Sequence, residues 1–195
     1  MNKKIFIIFL FILVLFNVNT VQAQSIEKQK KEIIALYSSN NLEEAYNMIS
    51  KIPEKDRDYE LWYLLANLSQ DLNNEDNAVF FLQKSISKKP EFDKAHYNLG
   101  NIYLKQKMYN SAIEEYKLAI KYKKDFPFYY YNLGCAYMAQ GEYKSARTAL
   151  KKAVNLKNNE PSFYYNLALV YKNLKKEEDG AKAFDRYIQL TKEEV

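Results

Sequence analysis

The sequence repeats itself with a period of 34 residues. Leu65, Leu99, Leu133 and Leu167 are spaced by that step, and so are Tyr63, Tyr97, Tyr131 and Tyr165. Small residues keep the same phase as Ala66, Gly100, Gly134 and Ala168, and again as Ala78, Ala112, Ala146 and Gly180. Larger ones follow as Leu82, Tyr116, Leu150 and Phe184. One residue type at each phase of a fixed period is the mark of a repeat array, in which a supersecondary unit is copied along the chain.

The unit reads as two helices. Leu99, Gly100 and Tyr103 lie on one helical stripe, and Ala112, Tyr116 and Ala119 lie on a second. Between them Lys107, Met108, Tyr109 and Asn110 leave room only for a turn. Gly100 and Ala112 let two backbones approach closely, with Tyr103 and Tyr116 filling the space beside them. One such pair cannot bury its apolar stripe alone, whereas a stack of pairs can, each touching only its neighbours.

On these residues the unit resembles the tetratricopeptide repeat, whose pattern runs W-x2-L-G-x2-Y, then A-x3-F, then a late proline. Trp62, Leu65, Ala66, Ala78, Leu82 and Pro90 fit it in one copy. Leu99, Gly100, Tyr103, Ala112, Tyr116 and Ala119 fit in the next, followed by Leu133, Gly134, Tyr137, Ala146, Leu150 and Ala153. Tyr164, Leu167, Ala168, Tyr171 and Phe184 complete the last. Ser69, Gly180 and Tyr187 depart from the pattern, and they fall in the first and last copies, where atypical units are expected. The resemblance implies an all-α fold, a right-handed α-solenoid of antiparallel helix pairs with about ten helices. Its copies are residues 59–92, 93–126, 127–160 and 161–194.

Residues 24–58 keep the rhythm without a strong match. Ile33, Ile34, Leu36 and Tyr37 form one apolar stripe, and Leu42, Ala45, Ile49 and Ile52 another, with Ser38 to Asn41 as the turn. This is a degenerate helix pair covering the first end of the stack, and Pro53 ends its second helix. Residues 24–195 are thus expected to form one domain. Residues 1–23 read as a secretory signal peptide: Lys3 and Lys4, then an apolar run from Ile5 to Phe16, then a cleavage site at Ala23. The run is short for a membrane span, which needs roughly 20 residues. Export is the expectation, with a bacterial periplasm first. Secretion, or membrane contact through a retained N-terminal anchor, is the alternative.

Composition excludes several functions. The net charge of +5 includes Lys3 and Lys4, and lysines and glutamates are interleaved, so the charges form solvated helix faces and not a nucleic-acid footprint. The single histidine, His96, stands in the phase of Trp62, Tyr130 and Tyr164, which is a packing position with no evident catalytic partner. No His/Cys cluster suggests a metal and no glycine-rich loop suggests a phosphate, so no cofactor is expected. Cys135 is the only cysteine and reads as a small buried or groove-lining residue. The chain is not expected to be an enzyme.

A binding surface is the better expectation. On the first helix of each copy, a face away from the Leu–Gly–Tyr stripe carries Tyr63 and Asn67, then Lys94, Tyr97 and Asn101. It continues with Phe128, Tyr131 and Cys135, then Tyr165 and Leu169. Asn98, Asn132 and Asn166 stand beside it, with amides able to donate and accept towards a ligand's backbone. In the resembled family this face lines a concave groove that holds an extended peptide or partner helix. The implied function is a non-catalytic protein–protein interaction scaffold of the cell envelope with a tyrosine-rich groove. Two other classes stay open: a carbohydrate or cell-wall binder using the same aromatic ribbon, and a homo-oligomer built through Phe184, Tyr187 and Ile188 at the C-terminal edge.

Overall fold

A computed structural model of the chain describes the backbone of residues 3–193 and the side chains of residues 20–192. Among the described residues there are ten α-helices and no strand: α1 (Lys3–Ser38), α2 (Leu42–Ser50), α3 (Tyr59–Asp71), α4 (Glu75–Lys88), α5 (Asp93–Lys105), α6 (Tyr109–Tyr122), α7 (Pro127–Ala139), α8 (Tyr143–Leu156), α9 (Pro161–Asn173) and α10 (Glu177–Glu193). A short 3-10 turn, Glu54–Asp56, precedes α3. The fold is the all-α helix-pair solenoid that the repeat implies. The chain divides into two compact units, Met1–Phe81 and Leu82–Val195, with the division inside α4.

Five short turns share one backbone device. Asn40, Asn73, Lys107, Gly141 and Lys175 all have positive φ, between 55° and 82°. In each turn the amide of the following residue reaches back to a carbonyl five residues earlier, as in Met108 to Tyr103 (2.8 Å) and Glu142 to Tyr137 (2.8 Å). That left-handed residue with its backward bond is the Schellman ending, which satisfies carbonyls at a helix C-terminus and reverses the chain. Pro127 and Pro161 occupy the first turns of α7 and α9, where a missing N–H costs nothing.

In the first unit, Ile33, Ala45, Ile49, Ile52, Leu61, Trp62, Leu65 and Leu68 form the core. Ile34, expected on the same stripe as Ile33, is instead 49% exposed. Adjacent helical residues point about 100° apart, so one of the two must face out. Lys30 of α1 pairs with Asp58 and Glu60, and the Tyr37 hydroxyl donates to Asp71 at 2.7 Å. Asp58 caps α3 by accepting from the Leu61 amide at 2.9 Å. Among the described residues no helix is long and apolar enough to cross a membrane. The side chains of residues 1–19, which carry most of the expected signal peptide, lie outside the described residues.

In the second unit α5 packs with α6, α7 with α8, and α9 with α10, and each pair touches the next. Ala112, Tyr116 and Ala119 are fully buried, as are Ala146, Leu150 and Ala153. At the glycines a side chain of the paired helix takes the space, where the sequence suggests that the backbones of Gly100 and Ala112 meet. A Cβ on Gly100 would lie 2.7 Å from the Tyr116 ring, and one on Gly134 would lie 2.7 Å from Leu150 Cγ.

Candidate functional site

The face foreseen on the first helix of each copy lies on α3 in the first unit and on α5, α7 and α9 in the second. Tyr63 and Asn67, on α3, are half-buried. On α5, Lys94 is exposed, while Tyr97, Asn98 and Asn101 are half-buried. Phe128, Tyr131, Asn132 and Cys135 on α7 are half-buried, as are Asn166 and Leu169 on α9. Tyr165 is 43% exposed. None of the four tyrosines is sealed in the core, and α5 touches α7 as α7 touches α9.

The asparagines have a role that the sequence reading missed. Asn132 of α7 donates one amide proton to the Tyr97 hydroxyl (3.0 Å) and the other to Asn101 Oδ1 (2.8 Å) on α5. Asn166 of α9 repeats the arrangement on α7, donating to the Tyr131 hydroxyl (3.0 Å) and to Cys135 Sγ (3.3 Å). Asn101 Oδ1 also accepts from Tyr116 of α6 at 2.8 Å. Both amide protons of Asn132 and Asn166 are therefore spent on the neighbouring helix, and a carbonyl oxygen is what each can still offer a ligand. The rings follow the same pattern. Tyr129 lies 4.9 Å from Tyr97, and Phe163 stacks on Tyr131 at 4.8 Å, centroid to centroid.

Burial fixes the protonation of this face. It pushes the Tyr131 hydroxyl up to about 12 and raises Tyr116 as well. It also raises the Cys135 thiol, which stays protonated and poorly nucleophilic at neutral pH. Towards the end of α9 the surface opens into a groove of ≈ 820 Å³ bordered by Tyr165, Leu169, Lys172, Lys175, Ala181 and Phe184.

His96 is buried, as its packing phase required, but it has a carboxylate partner after all. Its Nδ1 lies 2.6 Å from Glu115 of α6, and its Nε2 lies 2.8 Å from the Pro90 carbonyl. Burial lowers its pKa, and the Glu115 and Pro90 contacts more than reverse that, leaving it raised. With both ring nitrogens held by acceptors, the doubly protonated ring is the form that satisfies the site. Neither nitrogen faces a space where a substrate could stand, so the pair ties α5 to α6. A signal existed in the sequence. Position 115 carries Glu only in the copy with His96, whereas Phe81 stands there in the copy with Trp62, whose ring it meets at 5.7 Å.

Antiparallel helix pairs in a 34-residue register, closed by matching turns and tied rung to rung, define a tetratricopeptide-repeat chain, a class of protein-interaction scaffolds. More particularly, the chain belongs to the family of the cilia and flagella-associated protein 70 C-terminal domain, whose model matches residues 19–190. Solved structures share the fold. The MamA RS-1 ArsTM double mutant superposes with a TM-score of 0.80 at 21% identity, over 86% of this chain and 95% of that one. MamA 41-end from Desulfovibrio magneticus RS-1 gives 0.78 at 21% identity over 86% and 95%. A further MamA crystal structure gives 0.77 at 20% identity over 82% and 94%. No curated protein matches the chain.

Proposed function

We propose that the protein is a non-catalytic scaffold that binds a segment of another protein along the first-helix face of its repeats. The observation that carries this reading is the rung-by-rung tie of Asn132 and Asn166, which holds Tyr97 and Tyr131 on adjacent helices in fixed register. Phenols held rigidly before binding lose little entropy when a ligand arrives. Lys94, Phe128 and Tyr165 supply the more accessible contacts. The stacking of Phe163 on Tyr131, with the tilted contact of Tyr129 against Tyr97, favours a peptide over a sugar, because sugar stacking needs open ring faces.

The positive start at Lys3 and Lys4 with the apolar run to Phe16 supports export, and the family match begins only at residue 19, beyond that run. We place the scaffold in the cell envelope on this ground. Photo-crosslinking in cells from positions 94 and 128 tests the binding reading. It predicts one dominant protein partner, lost in Phe128→Ala and absent when the probe sits at exposed Lys151 of α8. Equal labelling from all three positions would refute it. Fractionation with N-terminal sequencing tests export, and a cytosolic product starting at Met1 would overturn it.

A further inference from the structure

We infer that the groove at the α9–α10 end of the second unit is a seat for an amphipathic helix of another protein, one with an aliphatic stripe and acidic flanks. The inference deepens the scaffold reading by placing a second docking surface at the edge, apart from Lys94 and Phe128.

The repeat itself shows what such a surface holds. One register earlier, α7 and α8 present Tyr131, Cys135, Met138, Arg147 and Leu150, and α9 lies against them. Leu167, Val170 and Tyr171 of α9 pack there with Ala146 and Leu150, joined by Met138 and Leu174. Shifted by 34 residues, that surface becomes Tyr165, Leu169, Lys172, Ala181 and Phe184, the residues that border the groove. Tyr165 is 43% exposed and Phe184 44%, among the largest apolar exposures in the second unit. The groove thus continues an interface already built twice within the chain. Its natural occupant is a helix whose aliphatic residues follow the spacing of Leu167, Val170, Tyr171 and Leu174.

Two changes in this register narrow the occupant. Tyr187 stands where Ala119 and Ala153 stand, and its ring lies 5.3 Å from Tyr165. One register earlier the ring beside Tyr131 is Phe163 of the incoming helix, at 4.8 Å. Tyr187 therefore already supplies the aromatic, and an incoming helix needs a small residue in the phase of Phe163. Lys172 and Lys175 replace Met138 and Gly141, so the rim is cationic, with Glu177 as an acidic neighbour. Cationic rims favour a helix with acidic flanks and oppose pairing of two like edges, on a chain whose net charge is already +5.

A fluorescent peptide of residues 161–176 carrying Phe163→Ala, Tyr164→Ala, Lys172→Glu and Lys175→Glu serves as the probe, titrated by anisotropy against the full chain. Saturable binding is expected, weakened about tenfold or more by Phe184→Glu, which removes an apolar wall of the groove and sets a carboxylate against the acidic probe. Phe184 is 44% exposed on α10, so this variant keeps its fold, and circular dichroism verifies that. Lys172→Glu with Lys175→Glu in the protein should reverse the preference towards a probe that retains its lysines. Phe128→Ala should leave binding unchanged, so failure here and failure of the first-helix face are told apart. No saturation, or equal affinity for Phe184→Glu and the unaltered chain, would overturn the inference. So would a dimer in sedimentation that Phe184→Glu abolishes, since the seat would then belong to a second copy.

Discussion

Replacing Gly100 and Gly180 by alanine makes the same chemical change at two helical positions, and the structure requires opposite outcomes. In a helix interior, alanine is favoured over glycine by roughly 0.5–1 kcal/mol, because glycine loses more backbone entropy on folding. At Gly180 nothing opposes that gain. The nearest atom to a new Cβ is Tyr171 Cβ at 3.5 Å, an ordinary contact, and the phase is filled by alanine at 78, 112 and 146. At Gly100 the new Cβ would stand 2.7 and 2.9 Å from two ring carbons of Tyr116. That ring is fully buried and its hydroxyl is committed to Asn101 at 2.8 Å, so it cannot swing aside without breaking the bond that also steadies Asn132. Overpacking of this kind costs about 1–3 kcal/mol. Gly100→Ala is therefore expected to destabilise by ~1–2 kcal/mol, and Gly180→Ala to stabilise by ~0.5–1 kcal/mol. Urea titration followed by circular dichroism reads both, with hydrogen exchange to confirm that the loss at Gly100 falls on α5 and α6. A Gly100→Ala chain as stable as the parent at unchanged m would show that Tyr116 relaxes freely, and the close-approach argument would fail.

The turn at Lys107 gives a second expectation. Its φ of 60° strains an L side chain, so Lys107→Gly should stabilise by about 0.5–1 kcal/mol, while Gly141→Ala at φ 82° should cost a similar amount in the same titration. His96 makes stability depend on pH. Its pKa is raised in the folded state, so its contribution is complete below the unfolded value of about 6.5 and is lost as pH rises through the folded value. Proton NMR of this sole histidine should show a midpoint above the ordinary one, and a normal midpoint would contradict the Glu115 pairing. His96→Trp with Glu115→Phe, copying Trp62 and Phe81, should recover most of what either single change loses and remove that pH dependence. Asn132→Ala deletes two hydrogen bonds and leaves Asn101 with fewer partners, which should cost ~1–3 kcal/mol in thermal or urea unfolding; an unchanged midpoint would mean that the rung carries no load.

Most of the backbone was legible because each unit restates its neighbour. The turns at 73, 107, 141 and 175 keep the 34-residue step, and one glycine among them was enough to phase the rest. The stripe through Leu99, Gly100 and Tyr103 followed from side-chain size and spacing; that the Tyr116 ring itself lies against Gly100, where the backbone of Ala112 was expected, did not. The placement of Ile34 did not, because a weakly patterned segment offers two adjacent isoleucines and no neighbouring copy to choose between them. The asparagine rungs were written in a spacing that a search for one period overlooks. Asn132 and Tyr97 are 35 residues apart, and so are Asn166 and Tyr131, one step beyond the repeat. Such an offset gains meaning only when the rise from one helix to the next is known. The His96–Glu115 pair was hidden for a related reason: the two residues sit on different helices, and only the facing of α5 and α6 joins them.

The hydroxyls of Tyr97 and Tyr131 belong at once to a surface and to the joints between helices. A molecule that competes for those oxygens would loosen the hinge beneath it, whereas one that adds to the existing bonds would brace it. Grip and rigidity are therefore coupled in this array, and a substitution that retunes one shifts the other.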